Sequence, residues 1–211
     1  MDVGSGFGGP SRLLTLERPN TRIVALEYVA EISVLAESLT RRCPQIKSKI
    51  THVVGDVTNL PNEIQTERRF QSAQAVLSLC HVPDLKLALT SVCQRLEDGG
   101  ILYVEDFWAS HLDDVHKQHL QNRVGCPRVP PSDKEWVSVL KQAGFATVDF
   151  EDVTSSWQTW VHGRAEGYRL SMDRNTRVHG EDGANHMLEF YSTMDELFLG
   201  DLKGCRILAK K

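Results

Sequence analysis

The chain of 211 residues is marked first by what is missing from it. No apolar run approaches the roughly 20 residues that cross a bilayer, and no signal peptide is visible, so no membrane role is expected. Positive charge is not in surplus: 24 Lys and Arg stand against 28 Asp and Glu, a formal net charge of −4. That excludes the electrostatic footprint of nucleic-acid binding. Cysteine is sparse, and Cys43, Cys80, Cys93, Cys126 and Cys205 are scattered, odd in number and without CxxC spacing. The natural reading is a reducing, cytoplasmic compartment. There is no internal repeat and no long low-complexity tract. Apolar residues at 41% and charged residues at 25% match a soluble globular chain and exclude wholesale disorder.

What is present is an alternation of short β-branched runs with helical patterns. TRIVALE (21–27), ITHVV (50–54), QAVLSL (74–79) and ILYVE (101–105) read as buried parallel strands. Between them, Ile32, Leu35, Ala36 and Leu39 mark one helix face, and Leu85, Ala88, Leu89, Val92 and Leu96 mark another that ends at Gly99-Gly100. Ser132 to Glu135 forms a capping box before a helix closed at Gly144. TVDFEDV and GCRILAKK supply two further strands, and the polar stretch 171–185 reads as an exposed loop. The pattern predicts a single α/β domain over 1–211, doubly wound around a mostly parallel sheet.

Such sheets bind ligands beyond the carboxyl ends of their strands, at the switch point beside strand one. There the chain places DVGSGFGGPSR, a glycine-rich turn between a strand-like start and a helix, with Glu27 at the end of strand two. A nucleotide site follows from that context. Gly4, Gly6 and Gly9 also satisfy a dinucleotide fingerprint, but Asp2 beside a helix N-terminus disfavours a pyrophosphate and suits a cationic ligand.

DVGSGFGGPSR, VALEY, GDVTNLP, LSLCHVPD and RLEDGGILYVEDF together resemble the successive motifs of class I S-adenosylmethionine-dependent methyltransferases. The resemblance implies a Rossmann-like sheet whose C-terminal strand, GCRILAKK, is antiparallel. It implies S-adenosyl-L-methionine as cofactor, with Asp2, Gly4, Ser5 and Gly6 holding the methionine half and Glu27 accepting from the ribose hydroxyls. Tyr28 would lie near the adenine, Asp56 and Val57 would contact its edge, and Leu79 would floor the sulfonium. The bland alternatives are a turn residue for Asp56 and a solvated strand end for Glu27.

His81 is the candidate catalytic residue, because imidazole titrates near neutrality and can take a proton from an aligned nucleophile. A histidine that caps or packs a loop is its alternative. Trp108, with Trp157, Trp160 and Tyr168, is a candidate wall of a substrate pocket for a cationic group. Arg128 and Arg123 are candidates for an anionic one, against the alternative of surface arginines. His111, Asp113, Asp114, His116 and His119 lack a matched second pair of ligands, so no metal site is expected.

The C-terminal half resembles phosphoethanolamine and sarcosine/dimethylglycine methyltransferases, so the expected partner is a small-molecule acceptor, an amine or phospho-base. Relative to that family the chain looks N-terminally truncated, with only Met1 to Val3 before the glycine loop. That start predicts an open site, weak cofactor binding and self-association as a homodimer or larger species. A non-catalytic methyltransferase-like subunit that binds a partner protein is the alternative.

Overall fold

The computed structural model describes residues 1–66 and 69–211. Among them, seven strands form one sheet: β1 (Asp2–Val3), β2 (Ile23–Glu27), β3 (Ile50–Val54), β4 (Phe70–Val76), β5 (Leu96–Trp108), β6 (Thr147–Asp152) and β7 (Lys203–Lys210). Their order across the sheet is β3-β2-β1-β4-β5-β7-β6. The pairs from β3 to β5 are parallel, and β7 lies antiparallel between β5 and β6. This is the doubly wound, mostly parallel sheet with an antiparallel C-terminal strand that the motifs imply.

The eight helices are α1 (Gly9–Glu17), α2 (Ala30–Arg41), α3 (Asn62–Gln65), α4 (Leu85–Arg95), α5 (Asp114–His119), α6 (Asp133–Gln142), α7 (Thr154–Leu170) and α8 (Met172–Leu199), counted among the described residues. The largest core cluster joins Val3, Leu26, Ala75 and Val104 of the sheet to Leu89 of α4 and Trp136 of α6. Parallel strands buried on both faces must be apolar throughout, which explains the unbroken runs in the sequence. The capping box of α6 is formed as expected, and Gly144 at φ +108 ends the segment behind it.

Although short, β1 is held on both sides, with Asp2 opposite Ala25 and Gln74 and Val3 opposite Leu26 and Ala75. The ladder continues through Met1, whose carbonyl accepts from Gln74 N at 2.9 Å.

The structure corrects four local expectations. The fourth strand spans Phe70–Val76 rather than 74–79, because Leu77 turns out of the sheet at φ +50 and Leu79–His81 forms a 3₁₀ turn. The buried face of α2 is Ser33, Ala36 and Thr40, while Leu35 is exposed. Thr40 tolerates burial because its hydroxyl donates to the Ala36 carbonyl and meets His52 Nε2 at 3.0 Å. Helix α4 ends at Arg95, and Leu96 opens β5 opposite Phe70, before a register shift that absorbs the glycine pair.

Of the polar stretch 171–185, Ser171 joins α7 to α8 and the rest lies within α8, whose one non-helical residue is Gly180 at φ 75 and ψ 167. Packing along α7 overrides local polarity here, since Asn175, Ala184, Thr193 and Met194 are buried on the inner face of α8.

Candidate functional site

The strand order reverses between β1 and β4, so their carboxyl ends part and leave a crevice. The glycine loop crosses it. Gly4 adopts φ +66 and Gly6 φ +53, a region costly for any residue with a Cβ. Around a Cβ built on Gly4, Ser78 leaves no room, whereas one built on Gly6 meets nothing within 4 Å among the described residues. Gly4 is therefore required for the close approach of β1 to β4, and Gly6 exposes its backbone to open space.

Glu27 fixes the loop. Its carboxylate accepts from Gly6 N at 2.8 Å through one oxygen and from Val29 N at 2.9 Å through the other, and it is 8% exposed. A carboxylate has about four acceptor sites, so lone pairs remain for hydroxyl donors. The solvated strand end is thus not what the structure has. Leu26 O accepts from Ser5 N at 2.9 Å, which ties the loop to β2 a second time.

These strand ends surround a cavity of about 410 Å³, lined in part by Gly4, Tyr28, Asp56, Val57, Ser78 and His81. That volume lies within the ordinary range for small-molecule sites. The Tyr28 ring is 73% exposed at its margin and Val57 is buried in its wall. Asp56 makes its own turn, accepting from Thr58 N at 2.7 Å through one oxygen while lining the cavity. The turn residue and the cavity-lining residue are therefore the same. Leu79 is buried in the main core and is not among the residues that line the cavity, and its carbonyl accepts from Arg128.

Asp2 and Ser5 sit under the loop rather than in the cavity wall. Ser11 Oγ donates to Asp2 Oδ2 at 2.5 Å, joining β1 to α1. Burial pushes the Asp2 carboxyl above its ordinary range, with the Ser11 hydrogen bond opposing it. Ser5 Oγ is buried with no hydrogen-bond partner among the described residues. An orphaned hydroxyl beside an open glycine cradle fits a polar ligand that bonds the loop.

His81 is exposed, with Nδ1 3.1 Å from the Gly125 carbonyl. A carbonyl only accepts, so this contact puts the proton on Nδ1 and leaves Nε2 as the basic nitrogen.

Two substrate candidates are elsewhere. Trp108 is 7% exposed, packs edge-on against Phe150 and donates its indole N–H to Gly204 O at 3.2 Å, with Lys203 Nζ over its ring. Trp157 packs with Phe107 and Phe198, Tyr168 with Tyr191, and Trp160 is 66% exposed, so the aromatic residues do not form one cage. Arg128 donates to the carbonyls of Val82 and Leu79 at 3.1 and 3.0 Å and so fastens the His81 turn. Arg123 is engaged by Thr193 and Glu189.

Beneath Arg128 lies Asp106, fully buried, accepting from Cys80 N at 3.0 Å and Phe107 N at 2.7 Å. Burial raises the Asp106 carboxyl and lowers the Arg128 guanidinium, so desolvation outweighs their mutual attraction at both partners. Sequence reasoning passed over Ser78 and Asp106, which sit inside the quoted motifs as LSLCH and VEDF without any spacing to mark their roles.

The doubly wound sheet, glycine cradle and acidic end of β2 define a nucleotide-type ligand site at the switch point. Residues 1–149 match the methyltransferase domain family, and the chain belongs to that family. Among curated proteins it is similar to sterol 24-C-methyltransferase ERG6B of Gibberella zeae, 23% identical over 163 residues, which are 74% of this chain and 41% of that protein. The fold is also that of phosphoethanolamine N-methyltransferase 2 of Haemonchus contortus, with TM-score 0.85 at 15% identity, covering 99% of this chain and 47% of that one. A protein described as a sarcosine dimethylglycine methyltransferase of Galdieria sulphuraria gives 0.82 at 18% identity, covering 100% and 76%. The chain spans less than half the length of the sterol methyltransferase it matches.

Proposed function

We propose that the chain binds S-adenosyl-L-methionine at the glycine cradle and transfers its methyl group to a small-molecule acceptor. The observation that carries this reading is the convergence of Gly4, Tyr28, Asp56 and His81 on one cavity, beside the loop whose Gly6 N–H the Glu27 carboxylate holds. S-adenosyl-L-methionine supplies a methyl group already activated by the sulfonium, so the chain has chiefly to align and deprotonate. Glu27 would accept from the ribose hydroxyls with its remaining lone pairs, and Tyr28 would cover the adenine. Asp56 would accept from the exocyclic amine with its free oxygen, beside Val57. Ser5 and the backbone at Gly4 and Gly6 would hold the methionine half, with Asp2 bracing the loop through Ser11. His81 would take the proton from the acceptor at Nε2.

For the acceptor, an amine is the preferred reading, and His81 as base is what supports it. The phosphate half of a phospho-base has less support, since Arg123 and Arg128 are both engaged by the protein itself. A carbon acceptor of the sterol type is the second reading, favoured by the similarity to a sterol methyltransferase. The homodimer reading is supported by the exposed Leu13 and Leu16 of α1 and Val34 and Leu35 of α2. The cytoplasmic reading is supported by five cysteines that are all free.

Calorimetry with S-adenosylmethionine, its demethylated product and NADH tests the cofactor, and release of the demethylated product with amine and sterol panels tests the acceptor. Preferential binding of NADH would overturn the assignment. Cofactor binding without turnover on any panel would favour the non-catalytic subunit.

A further inference from the structure

Cys80 and Cys126 are far apart in the sequence and belong to no recognisable metal motif. The fold nevertheless gathers the two thiols with a ring nitrogen of His81, one ligand atom from each lying within 4.8 Å of the others. Among the described residues this is the group with three ligands of metal-binding type that the structure brings together.

Two segments build it. Cys80 and His81 close the 3₁₀ turn after β4, and Cys126 follows the left-handed bend at Gly125, φ +79. The segments are fastened on either side of the trio, by His81 against the Gly125 carbonyl and by Arg128 on the carbonyls of Leu79 and Val82. Both cysteines are buried, at 4% and 2% exposure, while His81 faces solvent.

We propose that Cys80, His81 and Cys126 form a binding site for one borderline-soft divalent cation of the zinc class, with a fourth coordination position open on the exposed His81 side. Two thiolates and an imidazole are the donor set such cations select over harder ones. Zinc–sulfur bonds of about 2.3 Å in a tetrahedral arrangement separate ligand atoms by roughly 3.8 Å. The observed grouping, with its ligand atoms all within 4.8 Å of one another, admits that separation.

Charge also balances. A metal of this class binds cysteine as the thiolate, so each thiol gives up its proton on binding. The cation replaces two protons: M²⁺ + 2 RSH → M(SR)₂ + 2 H⁺. The net charge of this buried neighbourhood, which includes the Asp106–Arg128 pair, is the same before and after. The site goes beyond the methyl-transfer reading and does not rest on it. When filled, it removes from the glycine-loop cavity the imidazole that reading uses as a base.

The test is a cobalt titration of the full chain, stripped of metal and kept reduced with a phosphine. One cobalt per chain should bind with a thiolate-to-metal charge-transfer band and tetrahedral d–d bands, both bleached by zinc. About two protons should be released per cation, read by calorimetry in buffers of different ionisation enthalpy. Cys126→Ser and His81→Ala should each weaken binding at least tenfold, and Cys43→Ser should leave it unchanged. Absence of the charge-transfer band in the unsubstituted chain would overturn the proposal. So would equal cobalt affinity in His81→Ala, whose exposed position leaves folding intact. None of these readouts depends on S-adenosylmethionine.

Discussion

Ser78 donates its hydroxyl to the carbonyl of Val3 at 2.7 Å, bridging the two strand ends that part at the switch point. The bridge exists only because residue 4 has no side chain, since a Cβ there would overlap Ser78 Cβ. Gly4→Ala should therefore force β1 and β4 apart and also strain φ, at a cost of about 1–3 kcal/mol or more. Gly6→Ala has room and should lose only the smaller conformational term, yet place a methyl in the cradle. Urea unfolding with cofactor calorimetry separates them: Gly4→Ala should fall mainly in stability, Gly6→Ala mainly in binding. The reverse pattern would refute the assignment of the cradle.

Glu27→Ala removes both the loop anchor and the proposed ribose acceptor. Cofactor affinity should fall by about 1.5–3 kcal/mol, the range for a hydrogen bond to a charged group. Titration calorimetry measures it, and unchanged affinity would remove Glu27 from the site.

His81→Ala should lower turnover by roughly 100-fold or more with cofactor affinity nearly intact, as loss of a general base does. Equal losses in turnover and affinity would mark His81 as part of the loop that shapes the cavity.

Asp106 gives a pH signature with a definite sign. Its folded-state carboxyl is raised, chiefly by burial, so the folded state holds a proton that the unfolded state has released. Its contribution is full below the ordinary carboxylate value of about 3.9 and is lost as pH rises through the raised value. Compared with Asp106→Asn, the unsubstituted chain should lose stability with rising pH across that window and then level off. Denaturation midpoints at a series of pH values report it. A gain in stability of the unsubstituted chain relative to Asp106→Asn as pH rises would mean that the attraction to Arg128, not burial, dominates.

The sheet was legible in the sequence because a parallel strand buried on both faces is nearly all apolar, as Ile23–Glu27 is up to its terminal Glu27. The glycine loop was legible because positive φ at Gly4 and Gly6 demands that residue type. What could not be read depends on contacts between distant segments. Polarity alone argued for a loop where α8 runs, because the inner face that buries Asn175 and Ala184 exists only against α7. Trp108 and Arg128 look like ligand-facing residues until Gly204 and Leu79 are seen to take their donors. Cys126 carries no local sign of its proximity to Cys80.

The insertion of β7 between β5 and β6 has a kinetic side. Ile101 pairs with Lys210 and Thr147 pairs with the same residue, so β6 has no partner, and β5 none on the side away from β4, until a strand far along the chain arrives. Closing so long a loop is slow relative to forming the local β2–β3 pairing. The half of the sheet that carries the glycine cradle can thus assemble first, while β6 waits as an unpaired edge and α7 and α8 have no completed sheet beneath them. Until β7 docks, the nascent domain is a binding face on an open platform, the stage at which strand-to-strand aggregation competes most directly with folding.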